Sequence, residues 1–386
     1  MKNAGIAGGL VAIGLGLAAS DSHTLAQSPW PAEGLSRAEN LTPIEGPGNN
    51  DFHNDLSGAC HDSEAQRIWI CRNGPGSSGS KIWSLVPSAR GSWEIEYLDG
   101  DRCEWTGFGD LEGVTLVEEG SRTILCVLEG YDRIGEFDLS TPGAHVPLLE
   151  WDISPFTDAD GGDGAEGIAF IPDDALLASG FVDHAGELRT SELGMGGLVF
   201  IGHQAGGGIY VFDLSPDSEE LDYVGAYATS RSETCGLEFD RSTGLLYAWH
   251  DDKFDELEVL SLASERESSF GRRFLTEALY DAPFVGTIEG MAIAPGSECQ
   301  DGAREILVTV DDGGADSLFR FQVFEAFCAS CPADFNGDGE VNAADLGLLL
   351  SAWDTTEAQY DIDGDGVVGG GDLGAFLVAW GPCPIG

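Results

Sequence analysis

The chain has 386 residues, 42% of them hydrophobic, which excludes a disordered protein and leaves room for two or three folded units. Its 67 acidic residues against 18 basic ones give a net charge of −49, which excludes nucleic acid and anionic membrane surfaces as partners. Most of these carboxylates read as a solvated acidic surface.

At the start, Lys2 precedes an apolar, glycine-rich run from Ile6 to Ala19, and small residues allow cleavage after Ser20 or Ala26. The run is short and has no second charged flank, so residues 1–26 read as a signal peptide and not as a membrane span. No later segment is apolar enough to cross a bilayer. Nine cysteines agree with an oxidising destination, either secreted or at the cell surface. Residues 27–49, rich in Pro, Gly, Asn and Ser, read as a lead-in.

Residues 50–327 alternate short β-branched and aromatic runs with Gly, Asp, Ser and Pro turns, the pattern of an all-β domain. A short motif recurs as Ser57-Gly58, Glu112-Gly113, Glu166-Gly167, Cys235-Gly236 and Glu289-Gly290, at intervals of 55, 54, 69 and 54 residues. Four short strands follow each motif, which predicts a β-propeller. Five blades fit the count. Six fit if the long unit, with its insertion around Asp183 to Gly197, hides a degenerate blade. The lead-in near Leu41–Ile44 is expected to supply the closing strand.

With hydrophobic strands after these motifs and aromatic third strands at Gly208–Asp213 and Ser317–Phe321, the domain resembles the SdiA-regulated and phytase-like propeller families. The resemblance implies that the first strand of each blade lines an axis. Glu112, Glu166 and Glu289 then meet in one channel, with Ser57 and Cys235 in the matching places. Three converging carboxylates need a cation, protons or backbone donors. Calcium in the channel is one reading, and pinning of the blades by backbone bonds is the other. Asn73, Glu129, His203 or Gln204, His250-Asp251 and Asp311-Asp312 follow the second strands and are expected on one face. His250 and Asp251 are the acid/base candidates there, although no nucleophile accompanies them. Arg72 and Arg133 are the basic residues near that face, too few for the phosphate grip that phytases use.

Cys60 and Cys71 lie on neighbouring strands of the first unit and are expected to bridge. Cys103 with Cys126, and Cys299 with Cys328, are further pairings. Cys235 is left as a small buried side chain.

The C-terminal region, 328–386, contains a duplication. Asp334, Asn336, Asp338, Glu340, Asn342 and Asp345 recur 27 residues later as Asp361, Asp363, Asp365, Val367, Gly369 and Asp372, and each set leads into an apolar helix ending at Trp353 or Trp380. Oxygens at loop positions 1, 3, 5, 7 and 12, with Gly339 and Gly366 at position 6, suit a hard cation taking six to eight oxygen ligands. Calcium is the expected cofactor. Val341 and Val368 at position 8 are expected to pair as a small strand contact. Asp at position 12, where EF-hands carry Glu, and the absence of a clear entering helix make the segment resemble dockerin repeats in their Cys-flanked planctomycete form. Cys331–Cys383 is the disulfide expected to tie its ends. The resemblance implies a cohesin-like or cell-surface partner. The recognition positions are Ala343-Ala344 and Gly370-Gly371, which lack hydroxyls, so calcium binding follows more firmly than cohesin pairing.

The expected protein is therefore a secreted calcium-binding chain, with an all-β propeller for a small-molecule or glycan ligand and a small α-helical tail with two EF-hand-type loops. The alternative is a calcium-dependent secreted hydrolase, phytase-like or esterase/lactonase-like.

Overall fold

The computed structural model describes residues 27–53, 55–74, 79–157, 164–251, 253–284, 286–300, 302–311, 313–328, 333–335, 340–362 and 366–382. The expected signal peptide, Cys331, Cys383 and Asp312, and the ligand positions Asn336, Asp338, Asp363 and Asp365, lie outside these residues, as does the side chain of Glu340.

Among the described residues, five antiparallel sheets follow one another along the chain. Sheet I contains Leu56–Asp62, Arg67–Arg72 and Lys81–Pro87, with Trp93–Ile95 and Glu104–Thr106 on its outer edge. Sheet II contains Leu111–Thr115, Thr123–Leu128, Arg133–Asp138 and Leu149–Asp152. Sheet III contains Ala165–Pro172, Gly197–His203, Gly208–Leu214 and Leu221–Ala228. Sheet IV contains Gly236–Asp240, Leu245–His250, Glu256–Arg266 and Arg272–Asp281. Sheet V contains Ile288–Ile293, Arg304–Val310 and Leu318–Phe324, and is completed by Glu39–Asn40 from the lead-in. Two parallel pairs, Tyr227 with Arg272 and Ala228 with Arg273, join the outer strands of sheets III and IV.

The first strands of the five sheets touch in the order I, II, III, IV, V and back to I. Five apolar cores fill the spaces between successive sheets, one at each junction. This arrangement explains the unbroken apolar runs. Alternate residues of a strand point to opposite faces, and here both faces are buried. In Ile68-Trp69-Ile70-Cys71, Trp69 and Cys71 enter the core toward sheet II, while Ile68 and Ile70 enter the core toward sheet V. The result is a mainly β, propeller-like ring.

The recurrent glycines hold this ring together. A Cβ on Gly58 falls 2.7 Å from Glu112 O, on Gly113 2.7 Å from Glu166 O, on Gly167 2.7 Å from Leu237 N, and on Gly236 2.6 Å from Glu289 O. On Gly290 it strikes Ser57 O, which closes the circle. Each first strand lies against the backbone of the next, too close for any side chain. The residue before each glycine is free to vary, as the sequence shows.

Three expectations change in detail. The closing strand is Glu39–Asn40, and Thr42–Glu45 is a 3-10 turn whose Thr42 Oγ1 accepts the Ser317 and Leu318 amides. The insertion in the long unit lies between the first two strands of sheet III and begins with a helix, α1, Asp173–Ser179, too short to show periodicity in sequence. The Cys60–Cys71 bridge is absent, and both thiols are free and buried. Cys60 opposes Trp69, and a bulge at Ser57–Gly58 faces Cys71, so the two cysteines are diagonal neighbours. Diagonal positions stand about 7–8 Å apart, beyond a disulfide's usual span. Cys103 and Cys126 are also free, whereas Cys299 and Cys328 are bonded. Cys235 is buried, as expected.

In the C-terminal region, helices α2, Ala343–Ser351, and α3, Gly370–Val378, pack through a small core of Ala333, Val341, Leu349, Ala352, Val368 and Phe376. Val341 and Val368 do not pair with each other. The backbone of Val341 pairs with Gly381, beyond α3, and that of Val368 bonds Asp354 and Thr355, beyond α2. Each loop is braced by the exit of the other repeat's helix, a pseudo-twofold exchange. No helix among the described residues is long and apolar enough to cross a membrane.

Candidate functional site

The axis gathers the recurrent acids as expected. Glu112, Glu166 and Glu289 are all nearly buried at its mouth. Glu112 accepts a hydrogen bond from Asn73, and the Ser57 hydroxyl reaches both Glu112 and Glu289. Glu166 is hydrogen-bonded to Glu129, which also accepts the Gly164 amide at 3.0 Å. Burial, then repulsion from Glu129, holds the Glu112 carboxyl well above the usual range. Burial followed by Glu112 does the same for Glu166, and burial followed by Asp311 for Glu289. Residues after the second strands therefore do converge on the axis: Asn73, Glu129 and Asp311, with Asp251 acting on Glu289.

Among the described residues, no three His, Cys, Asp or Glu side chains are placed to share one metal ion. The enclosed space between the glycine ring and Glu112 and Glu289 is about 10 Å³, at the lower limit for a single water. A carboxyl hydrogen-bonded to a carboxylate, as Glu166 is to Glu129, carries a proton between them.

The acid/base candidate behaves otherwise. His250 is fully buried, its Nε2 stands 2.9 Å from Glu258, and its Nδ1 faces Glu233 O. Thr276 and the Ser230 amide also bond Glu258. With both ring nitrogens engaged, His250 joins strands and has none to offer a substrate. His203 is buried against Tyr210, and the Gln204 amide bonds Gly164 O. Arg72 is paired with Asp51, and Arg133 with Glu150, so neither is poised for phosphate.

The C-terminal loops have a second geometry. Asp345 and Asp372, at position 12, are buried and occupy equivalent places. The amide of position 2, Phe335 or Ile362, donates to one carboxylate oxygen at 2.9 or 2.7 Å. The amide of position 9, Asn342 or Gly369, donates to the other at 3.0 or 2.6 Å. Asp345 thereby closes a capping box with Asn342, which accepts the Ala344 amide. Position 12 is thus fixed at the helix start, facing its loop.

In the second loop, Gly366 adopts φ +91°, and its amide donates to Asp361 Oδ2 at 2.8 Å. Asp361 Oδ1 is buried and has no hydrogen-bond partner. A buried carboxylate oxygen left bare costs several kcal/mol unless it is compensated. Its chemistry suits a hard cation, with Asp372 held at the far end of the loop.

Glu238 and His61, farther along the first strands, were not singled out in the sequence. They come from separate sheets and share no motif, so no linear spacing marks them.

No family model matches the chain, and no curated protein matches it. Among solved structures, it is similar to a Bacteroides uniformis protein provisionally described as a 6-phosphogluconolactonase, with a TM-score of 0.36 and 11% identity. The similarity covers 66% of this chain and 78% of that one.

Proposed function

We propose that the chain is an exported calcium-binding protein: a five-bladed propeller that binds a ligand, joined to a dockerin-like tail whose two loops each take one calcium ion. The observation that carries this reading is the bare, buried Oδ1 of Asp361, facing a loop that already has a positive-φ glycine at position 6 and a fixed aspartate at position 12. Asp334, Asn336, Asp338, Glu340, Asn342 and Asp345 serve the first ion, and Asp361, Asp363, Asp365, Val367 and Asp372 the second. Ordering of the tail by calcium would present it to a cohesin-like or cell-surface partner. The five-blade count rests on the glycine ring, which returns to Gly58 after five steps.

The test is calorimetric titration of the full chain with calcium. Two tight sites are expected, and Asp361→Ala and Asp334→Ala should each remove one. An unchanged stoichiometry in both variants refutes the reading.

A calcium-dependent hydrolase is the second reading, favoured by the Glu129–Glu166 carboxyl pair at the mouth, because perturbed carboxyls cluster where acid/base chemistry occurs. Glu166→Gln should abolish turnover of an ester or lactone. The absence of turnover in a broad ester, lactone and phosphomonoester screen with calcium present excludes it.

A further inference from the structure

The end of the axis opposite the acidic mouth holds a cavity of about 260 Å³, where the first strands of sheets I, IV and V finish. His61, Ser63, Glu119, Glu238, Asp240 and Arg241 form its polar wall, with Asp240 held by Arg304, and Phe239, Ile293 and Pro295 its apolar one. The Glu238 carboxyl is almost inaccessible and accepts the His61 amide at 3.0 Å. Arg241 does not neutralise it by direct contact. Its guanidinium donates to Leu116 O at 2.9 Å and Val117 O at 3.1 Å, and its Nε stands 3.7 Å from Glu119. Burial pushes the Glu238 carboxyl well up, which disfavours its charged form. Burial also lowers His61 to about 4, leaving a neutral imidazole.

The wall therefore offers groups that donate and accept, beside two ion pairs, Arg241–Glu119 and Arg304–Asp240, in which each charge has a partner. A free anion gains no unpaired cation here, and a free cation meets a carboxyl whose charged form burial disfavours. A hydroxyl donates and accepts at once, and the C–H face of a sugar ring suits Phe239, Ile293 and Pro295. His61 also lines a larger cleft, about 600 Å³, between sheets I and V. Gln66, Gln300 and Gln322 border that cleft beside Glu298, Glu325 and an Arg320–Glu305 pair, and amides pair readily with hydroxyls. Together the two spaces have the size of a multi-ring ligand site.

We infer that the base of the propeller binds a neutral oligosaccharide, one ring seated against Glu238 and His61 and further rings along the cleft toward Gln300. This rests on the ligand-binding half of the proposed function and supplies its site and ligand class.

The full chain, with calcium, is titrated with neutral hexasaccharides of glucose, xylose, mannose and galactose, with oligogalacturonate as the anionic control. At least one neutral hexasaccharide should bind, and oligogalacturonate should not. Glu238→Gln, which keeps an uncharged donor, should hold affinity within about threefold, whereas Glu238→Leu should lose tenfold or more. Gln66→Ala with Gln300→Ala, both at exposed positions, should weaken the hexasaccharide several-fold and spare the disaccharide. Saccharide binding that Glu238→Leu and the double glutamine variant both leave intact overturns the site, while the ligand-binding reading survives. Preference for oligogalacturonate, or no saccharide binding, overturns the ligand class. The calcium stoichiometry measured on the same samples reports on the tail independently.

Discussion

The propeller and the tail are both internal repeats, yet they repeat opposite things. In the ring, the recurring residue is glycine, and its role is to leave room: Gly58, Gly113, Gly167, Gly236 and Gly290 each lie against the next strand's backbone. In the tail, the recurring residues are acids, and the role we propose for them is to fill a shell of oxygens around a cation. Its helical glycines, Gly347 and Gly374, sit at equivalent positions with nothing within 4 Å of a built Cβ. A repeated residue therefore has to be read by what surrounds it. The same glycine is obligatory on the axis and dispensable on a helix.

The sharpest way to break this contrast is Gly113→Ala. Its added methyl meets Glu166 O and two branched side chains, and overpacking of that kind costs about 3 kcal/mol. A denaturant midpoint unchanged from the parent would remove the ring argument. Next in size is the pH response of the mouth. The raised carboxyls of Glu112, Glu166 and Glu289 bind protons more tightly folded than unfolded. Their stabilising contribution is complete below the unfolded pKa and is lost as pH rises through the folded one. The triple Gln variant should therefore unfold at a higher temperature than the parent at pH 8, and the advantage should shrink toward pH 4. Each group contributes about 1.4 kcal/mol per pH unit of its window. A parent more stable than the variant at pH 8 would instead point to a cation among these groups.

Smaller effects belong to the tail. Asp345→Ala removes the half of the α2 capping box that accepts the Asn342 amide and should cost about 1 kcal/mol even without calcium. Gly347→Ala should stabilise α2 by up to about 1 kcal/mol, the reverse sign of Gly113→Ala, since helical Ala is preferred where space is open. Helicity measured by circular dichroism at increasing temperature compares these two.

Much of this was legible in the linear chain because both repeats keep register: the five motifs mark the five first strands, and the 27-residue offset relates the two loops. What escaped reading depended on neighbours distant in sequence. Val341 pairs with Gly381 because the two repeats exchange braces, which a single loop cannot reveal. Cys60 opposes Trp69, which leaves Cys71 two residues along the neighbouring strand. His250 looked like a base until Glu258, eight residues on, proved to occupy its ring. Glu238 and His61 meet only when sheets IV and I close around the axis.

The central claim is that the tail's duplicated loops are calcium sites, and a crystal of the full chain grown in calcium tests it most directly. The account predicts two anomalous peaks related by the pseudo-twofold exchange, one in contact with Asp361 Oδ1 and one with Asp334. Peaks absent from both loops, with Asp361 Oδ1 bonded to a water or to a protein donor, would contradict it.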